Sequence, residues 1–265
     1  MIEQQNNMLW FKFNGFLRYI LCHLATNIMP LYVVNEYPKS GGSWVAGMLS
    51  DALGVPFPRN RLPMMCSSIL HGHMMHSWNM HNVLIVWRDG RDVLISQYFH
   101  SLFENDRGNK LLVAQTRSDL NFSNYEDVES NLVSFMKYVY EEKRHPRMSW
   151  VDFVNKWDRF ERGTHVRYED LRIRPVDELQ RIANQFECAL DRGRLTEIVE
   201  KYSFEKMSGR KVGESNKRSF LRKGVVGDWK NYFNRDAREY FCAYAGDALI
   251  KLGYEPDTTW VHDYM

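Results

Sequence analysis

The stretch Leu31-Tyr32-Val33-Val34-Asn35 runs into Glu36-Tyr37-Pro38-Lys39-Ser40-Gly41-Gly42-Ser43, and residues 44–53 then have helical character. This strand, glycine turn and helix limits the possible folds more than any other feature. An uninterrupted apolar run reads as a strand covered on both faces. The pattern recurs at residues 82–87 (NVLIVW), which turn through Arg88-Asp89-Gly90-Arg91 into a helix over about 92–104. Residues 67–70 and 164–167 are weaker strand signals. Together they predict an α/β fold: a central, mostly parallel sheet flanked by helices, with ligands outside the carboxyl ends of the strands.

Leu179, Ile182, Ala183 and Phe186 recur at helical spacing, so residues 175–186 should form an amphipathic helix with Pro175 near its start. Residues 191–201 and 235–252 continue in helical style, and 206–228 reads as a long polar loop. Residues 103–149 are polar and irregular apart from a helix at 128–142. A segment of that length is expected to be functional, here a substrate lid over about 103–150. The 265 residues are read as a single domain, with 1–30 as an N-terminal helical extension. Residues 11–24 are apolar but interrupted by Lys12, Asn14, Arg18 and His23, too broken for a membrane span. A helix packed on the domain is expected there, with an interfacial amphipathic helix as the alternative.

Lys and Arg total 35 against 33 Asp and Glu. That near balance argues against a nucleic-acid binder, so any phosphate site must be built locally. Cys22, Cys66, Cys188 and Cys242 are scattered, which argues against a disulfide framework or a zinc ribbon and suggests a reducing, cytoplasmic setting.

A turn that opens a helix aims backbone N–H groups at one point, where the helix dipole adds positive potential. The segment 38–44 does this, with Lys39 as a point charge and Ser40 and Ser43 as hydroxyl donors. It is not a Walker A loop, in which the lysine follows the glycines. Arg88, with Ser96 eight residues on, opens a second such turn, and Arg222-Lys223-Gly224 places two cations before a glycine. Taken singly, each of these is also compatible with a ligand-free turn.

Together the three segments resemble the PAPS-dependent sulfotransferase family, PAPS being 3′-phosphoadenosine 5′-phosphosulfate. The family's Pro-Lys-Ser-Gly-Thr-Thr-Trp is Pro38-Lys39-Ser40-Gly41-Gly42-Ser43-Trp44 here. Its arginine and serine eight apart match Arg88 and Ser96, and its Arg-Lys-Gly-x-x-Gly-Asp-Trp-Lys is met in full at 222–230. Tyr168-Glu169-Asp170-Leu171 and Tyr202-Ser203-Phe204 are weaker matches in the expected order.

The resemblance implies sulfuryl transfer from PAPS to a hydroxyl, less readily an amine, of a small-molecule or carbohydrate acceptor, leaving PAP (3′-phosphoadenosine 5′-phosphate). It implies that residues 39–44 hold the 5′-phosphosulfate end. Arg88, Ser96, Arg222, Lys223 and Gly224 would hold the 3′-phosphate. Trp44 and Phe204 would sandwich the adenine, with Tyr168 at its edge. Lys39 and the backbone N–H groups of 41–43 would stabilise charge on the leaving phosphate, and no metal is required. The family's histidine base aligns with His73; His71, where the family has a lysine, is the alternative. A free histidine titrates near pH 6.5, suited to base catalysis. His71, His73, His76, His81 and Cys66 also raise the rival reading of a metal site, though their spacing fits no zinc motif. Gly42 departs from the family too, standing where a hydroxyl residue is usual. The C-terminal dimer segment known in animal members is met only at its ends, by Lys230 and Glu239, so that dimer is not expected. The rival functions are a nucleotide kinase of P-loop type and a non-catalytic PAP sensor.

Overall fold

The computed structural model describes residues 2–59, 61, 63–64, 66–143 and 146–262. Four strands, Leu31–Glu36 (β1), Ser68–Gly72 (β2), Val83–Trp87 (β3) and Thr164–Arg167 (β4), form an all-parallel sheet in the order β2-β1-β3-β4. The helices in chain order are Ile2–Leu24 (α1), Gly42–Leu53 (α2), Gly90–Leu102 (α3), Lys110–Leu120 (α4), Val128–Lys137 (α5), Trp150–Trp157 (α6), Tyr168–Ile173 (α7), Pro175–Gln185 (α8), Arg192–Lys201 (α9), Phe204–Ser208 (α10) and Arg235–Lys251 (α11).

The chain divides into two compact units, each assembled from two separate stretches. Unit 1, Met1–Trp87 with Phe160–Ser203, contains the whole sheet. The central strands β1 and β3 are almost wholly buried, as their uninterrupted apolar runs require. Val34, Ile69, Leu84 and Val86 pack with Val45, Met48 and Leu49 of α2 and with Leu179, Ile182, Leu195 and Ile198 of α8 and α9. Burying one such side chain contributes roughly 1.5–3 kcal/mol. Pro175 occupies the first turn of α8, where its missing N–H costs nothing.

The register fixes the carboxyl edge of the sheet. Asn35 pairs with Gly72, Glu36 with Val86, and Trp87 with Arg167. All four strands therefore finish at one level, and the segments that follow β1, β2 and β4 bring Lys39, His73 and Tyr168 to that edge.

Within residues 1–30, read as a helical extension, the helix α1 runs over Ile2–Leu24, starting before the apolar stretch at 11–24. Asn14, Leu21, Cys22 and His23 are buried, while Phe13, Phe16 and Tyr19 are exposed. Among the described residues no helix is long and apolar enough to cross a membrane.

Unit 2, Arg88–Arg159 with Phe204–Met265, is helical among its described residues. The span 103–149 is more ordered than its polarity suggested. It holds α4, and α5 continues into a π-helical turn at Tyr138–Glu142. Helix α4 buries only Val113 and Thr116, too little to leave an apolar periodicity in the sequence. Helix α10 likewise occupies the start of the stretch read as loop.

Candidate active site

In unit 1 the loop after β1 turns by unusual backbone geometry. Lys39 has φ 75° and Gly41 φ 97°, both left-handed. For lysine that conformation costs of order 1 kcal/mol, and alternation of this kind curls backbone N–H groups into an anion-binding concavity. Gly41 is the N-cap of α2 and gives it no side-chain cap. The Ser40 hydroxyl is buried with no partner among the described residues, and so fits a ligand that is not part of the protein. Tyr168, at the start of α7, lies against Gly41: a Cβ there would come within 2.7 Å of its ring. The Trp44 and Tyr168 rings meet edge to face at 5.5 Å, and Trp44 Nε1 donates to Tyr202 O at 2.8 Å.

His73 lies one residue beyond β2. Its Nδ1 lies 2.9 Å from the Glu36 carbonyl oxygen. A carbonyl can only accept, so Nδ1 carries the hydrogen and Nε2 keeps the lone pair a base needs. The segment is pinned by Asn35, fully buried at the end of β1. Its Nδ2 donates to Met74 O at 3.2 Å and its Oδ1 accepts from Met74 N at 2.7 Å. Burial first, then the neighbouring His71 and to a lesser degree Lys39, disfavour the imidazolium, and together they outweigh the opposing charge and carbonyl of Glu36. The pKa of His73 is therefore lowered, and it is neutral at neutral pH.

Glu36 is a site residue that sequence reasoning did not single out. One carboxylate oxygen accepts from the Gly42 N–H, and the other lies 2.9 Å from His71 Nε2. Burial pushes its pKa up, but the hydrogen bond and charge of His71, His73 and the Gly42 amide together outweigh that and hold it below the ordinary value. One of the three backbone amides assigned to the donor from the sequence is thus engaged by the protein itself.

The histidine cluster is smaller than the sequence allowed. Potential ligand atoms of Glu36, His71 and His73 lie within 4.8 Å of one another. Each of these residues already has a protein hydrogen bond, and Lys39 and the positive end of α2 oppose a cation there. His76 instead meets Tyr19 edge on at 6.2 Å, the backbone N–H of His81 donates to Thr26 Oγ1, and Cys66 is an exposed thiol.

The remaining predicted residues lie in unit 2. Arg88 precedes α3, and Ser96 is half-buried within it. Asp92 of α3 organises this half. It lies 4.0 Å from Arg88 Nη2 and accepts from Gly227 N at 2.7 Å and Trp229 N at 3.0 Å. Burial, more than its neighbours, raises its pKa. Asp228 pairs with both cations of the third segment, with Lys223 Nζ at 2.6 Å and with Arg222 Nη2. Burial would raise Asp228, but Lys223 and Arg222 outweigh it and hold it below the usual carboxylate range. The Arg222 guanidinium also stacks on Phe99 of α3 at 4.5 Å, and its Nη1 is buried without a partner among the described residues. Gly224, at φ 68°, lies so close to Phe204 that a Cβ would run into its ring.

Unit 1 thus holds Lys39, Ser40, Gly41, Gly42, Ser43, Trp44, His73 and Tyr168, and unit 2 holds Arg88, Ser96, Phe204, Arg222, Lys223 and Gly224. Trp44 and Phe204, expected to sandwich one base, belong to different units. Asp92 and Asp228 stood in the sequence near the cations that sequence reasoning selected, four residues after Arg88 and within the 222–230 motif, but their pairing with them carried no signal there. Glu36 and Asn35 carried no signal either, being the last two residues of a strand.

The fold is shared with solved sulfotransferases. It matches mouse sulfotransferase SULT7A1 complexed with PAP at a TM-score of 0.60 and 17% identity, over 83% of this chain and 84% of that one. Retinol dehydratase in complex with androsterone and PAP matches at 0.53 and 15% identity, over 88% and 85%. Sulfotransferase 1B1 of Mus musculus is 36% identical over 109 residues, 36% of each chain, and sulfotransferase 1C2 of Homo sapiens is 31% identical over 106. These alignments span about a third of the relatives' length. Cytosolic sulfotransferase 7 of Arabidopsis thaliana is 26% identical over 167 residues, 57% of this chain and 45% of that one. The sulfotransferase domain family itself matches residues 61–253, well over half of the sequence. Those 193 residues take in His73, Arg88, Ser96, Tyr168, Phe204 and the Arg222–Lys230 motif, and on that extent the chain belongs to the sulfotransferase domain family.

Proposed function

We propose that the protein transfers a sulfuryl group from PAPS to a hydroxyl of a small-molecule or carbohydrate acceptor and releases PAP, with residues 1–265 serving as one sulfotransferase domain. The observation that carries this reading is the strand, left-handed loop and helix from β1 to α2, with Lys39 on the loop and a neutral His73 beside it. The solved relatives named above were captured with PAP, which supports the choice of nucleotide.

In this reading His73 Nε2 takes the acceptor's proton as its oxygen attacks sulfur. The bond from sulfur to the bridging oxygen of the 5′-phosphate breaks, and the electron pair stays on that oxygen. Lys39 meets the charge that builds there, so its interaction is stronger in the transition state than in the ground state. The Glu36 carbonyl holds His73 in the required tautomer, and Asn35 fixes the backbone beyond it. Arg88, Ser96 and Arg222-Lys223-Gly224 would take the 3′-phosphate, and Trp44, Tyr168 and Phe204 the adenine. No step of this scheme calls on a metal. Residues 103–150 are assigned to acceptor choice.

Nucleotide binding and turnover test this directly. PAP should raise the melting temperature more than ATP or adenosine 5′-monophosphate. Labelled PAPS should turn over with an acceptor from a hydroxylated panel, and Lys39→Ala should lower kcat roughly 10²–10³-fold with folding intact. Tighter binding of ATP than PAP favours a kinase, and equal turnover by wild type and Lys39→Ala removes Lys39 from the mechanism.

A further inference from the structure

Glu36 is a buried carboxylate for which sulfuryl transfer has no obvious use. It is 4% exposed and stands at the positive end of α2, in hydrogen-bond contact with the first N–H of that helix. A helix terminus of this kind favours an anion, and here the anion is part of the chain. The second carboxylate oxygen meets His71 Nε2 at 2.9 Å. The two departures from the family pattern near the reaction centre, Gly42 and His71, converge on it. A Cβ on residue 42 would lie 2.5 Å from Glu36 Cδ and 2.8 Å from Oε1, so Glu36 in this position requires glycine at 42. His71, in the place of the lysine, supplies the other hydrogen bond.

The charged and titratable groups facing the pair come from each element around it. His71 lies on β2, with Phe57 edge on at 6.2 Å, and His73 follows β2 and binds the Glu36 carbonyl. Lys39 lies on the loop and acts on His73, the Gly42 amide belongs to α2, and Tyr168 of α7 covers Gly41. His71 Nε2 can reach the carboxylate as a donor only with its hydrogen in place, which leaves Nδ1 to accept a further proton.

We infer that Glu36 is an internal competitor for the donor's 5′-phosphosulfate, engaging the Gly42 amide an incoming anion would take, and that donor binding is coupled to proton uptake at His71. The inference rests on the reading of residues 38–44 as the phosphosulfate site. With the anion bound, the negative charge beside Glu36 grows. A proton from solvent adds to His71 Nδ1, and the resulting imidazolium offsets the carboxylate. Donor affinity then rises as pH falls, by up to about tenfold per pH unit for one coupled proton.

Calorimetric titration with PAP between pH 6 and 8, in buffers of different ionisation enthalpy, measures the protons taken up. Titration of free PAP gives the nucleotide's own share. Wild type should take up about one proton beyond that share near pH 7.5, and Glu36→Gln, which keeps the shape without the charge, close to none. Glu36→Gln should also bind PAP about tenfold more tightly at pH 8. His71→Gln, which keeps a donor for Glu36 but accepts no proton, should lose the extra uptake. Wild type showing no uptake beyond that of PAP overturns the inference, and this measurement depends on no variant. Equal affinity and equal uptake in wild type and Glu36→Gln overturn it as well. Loss of PAP binding by all three proteins overturns the phosphosulfate reading itself and the inference with it, a result distinct from equal binding.

Discussion

At the residue scale, Gly224 shows how closely backbone and side chain are fitted in the third phosphate segment. Its φ of 68° is a region L residues rarely adopt, and the Phe204 ring occupies the space a Cβ would need. Gly224→Ala must therefore shift either the loop or the ring. A loss of about 1–3 kcal/mol in urea unfolding is expected, together with weaker PAP binding. An unchanged denaturation midpoint would show that the loop moves aside freely. The motif Arg222-Lys223-Gly224 was legible as spacing, but its neutralisation by Asp228 was not. Spacing reveals that two cations are adjacent and leaves open which carboxylate answers them. Glu36 was hidden more deeply: a strand-terminal glutamate next to Tyr37 reads as a solvated end until the register places His71 beside it.

Among the elements, the strands were the most legible. β1 and β3 announced themselves because both faces are buried, which makes the apolar run continuous. Helix α4 left no such trace, since only Val113 and Thr116 of it are buried. Neither could the order β2-β1-β3-β4 be read off the chain, because local composition carries no record of which parallel strands become neighbours. In unit 2 the link between helix and loop is Asp92, whose carboxylate accepts from the amides of Gly227 and Trp229. Asp92→Ala removes that link and leaves two backbone donors to find other partners. A cost of about 3 kcal/mol is expected in chemical denaturation. Hydrogen exchange at residues 227–229 should accelerate more than in the rest of α3, and uniform acceleration would assign Asp92 to general stability instead.

For the whole molecule, the shifts at His73 and Glu36 set a pH dependence of stability. Both groups have a lower pKa in the folded chain than their ordinary values. As pH falls below about 6.5 the unfolded histidine takes its proton first, and the same occurs for the glutamate below about 4.3. Their contribution to stability is present above those values and is lost as pH falls through the lower, folded ones. Calorimetric melting should therefore show a midpoint that declines from pH 7 to 5.5, with a shallower decline in His73→Asn. A flat profile for wild type over that range would contradict the assignment.

The main chain passes between the two units at Trp87–Arg88, Arg159–Phe160 and Ser203–Phe204. A ribosome extends a chain at roughly 5–20 residues per second, amino end first. The sheet cannot gain β4, nor α2 its cover from α8 and α9, until some two hundred residues have been made, and by then the first stretch of unit 2 has already emerged. Neither unit can be finished from one continuous piece of the gene. Fragments cut at any single one of these junctions should consequently be recovered as aggregates rather than as folded halves.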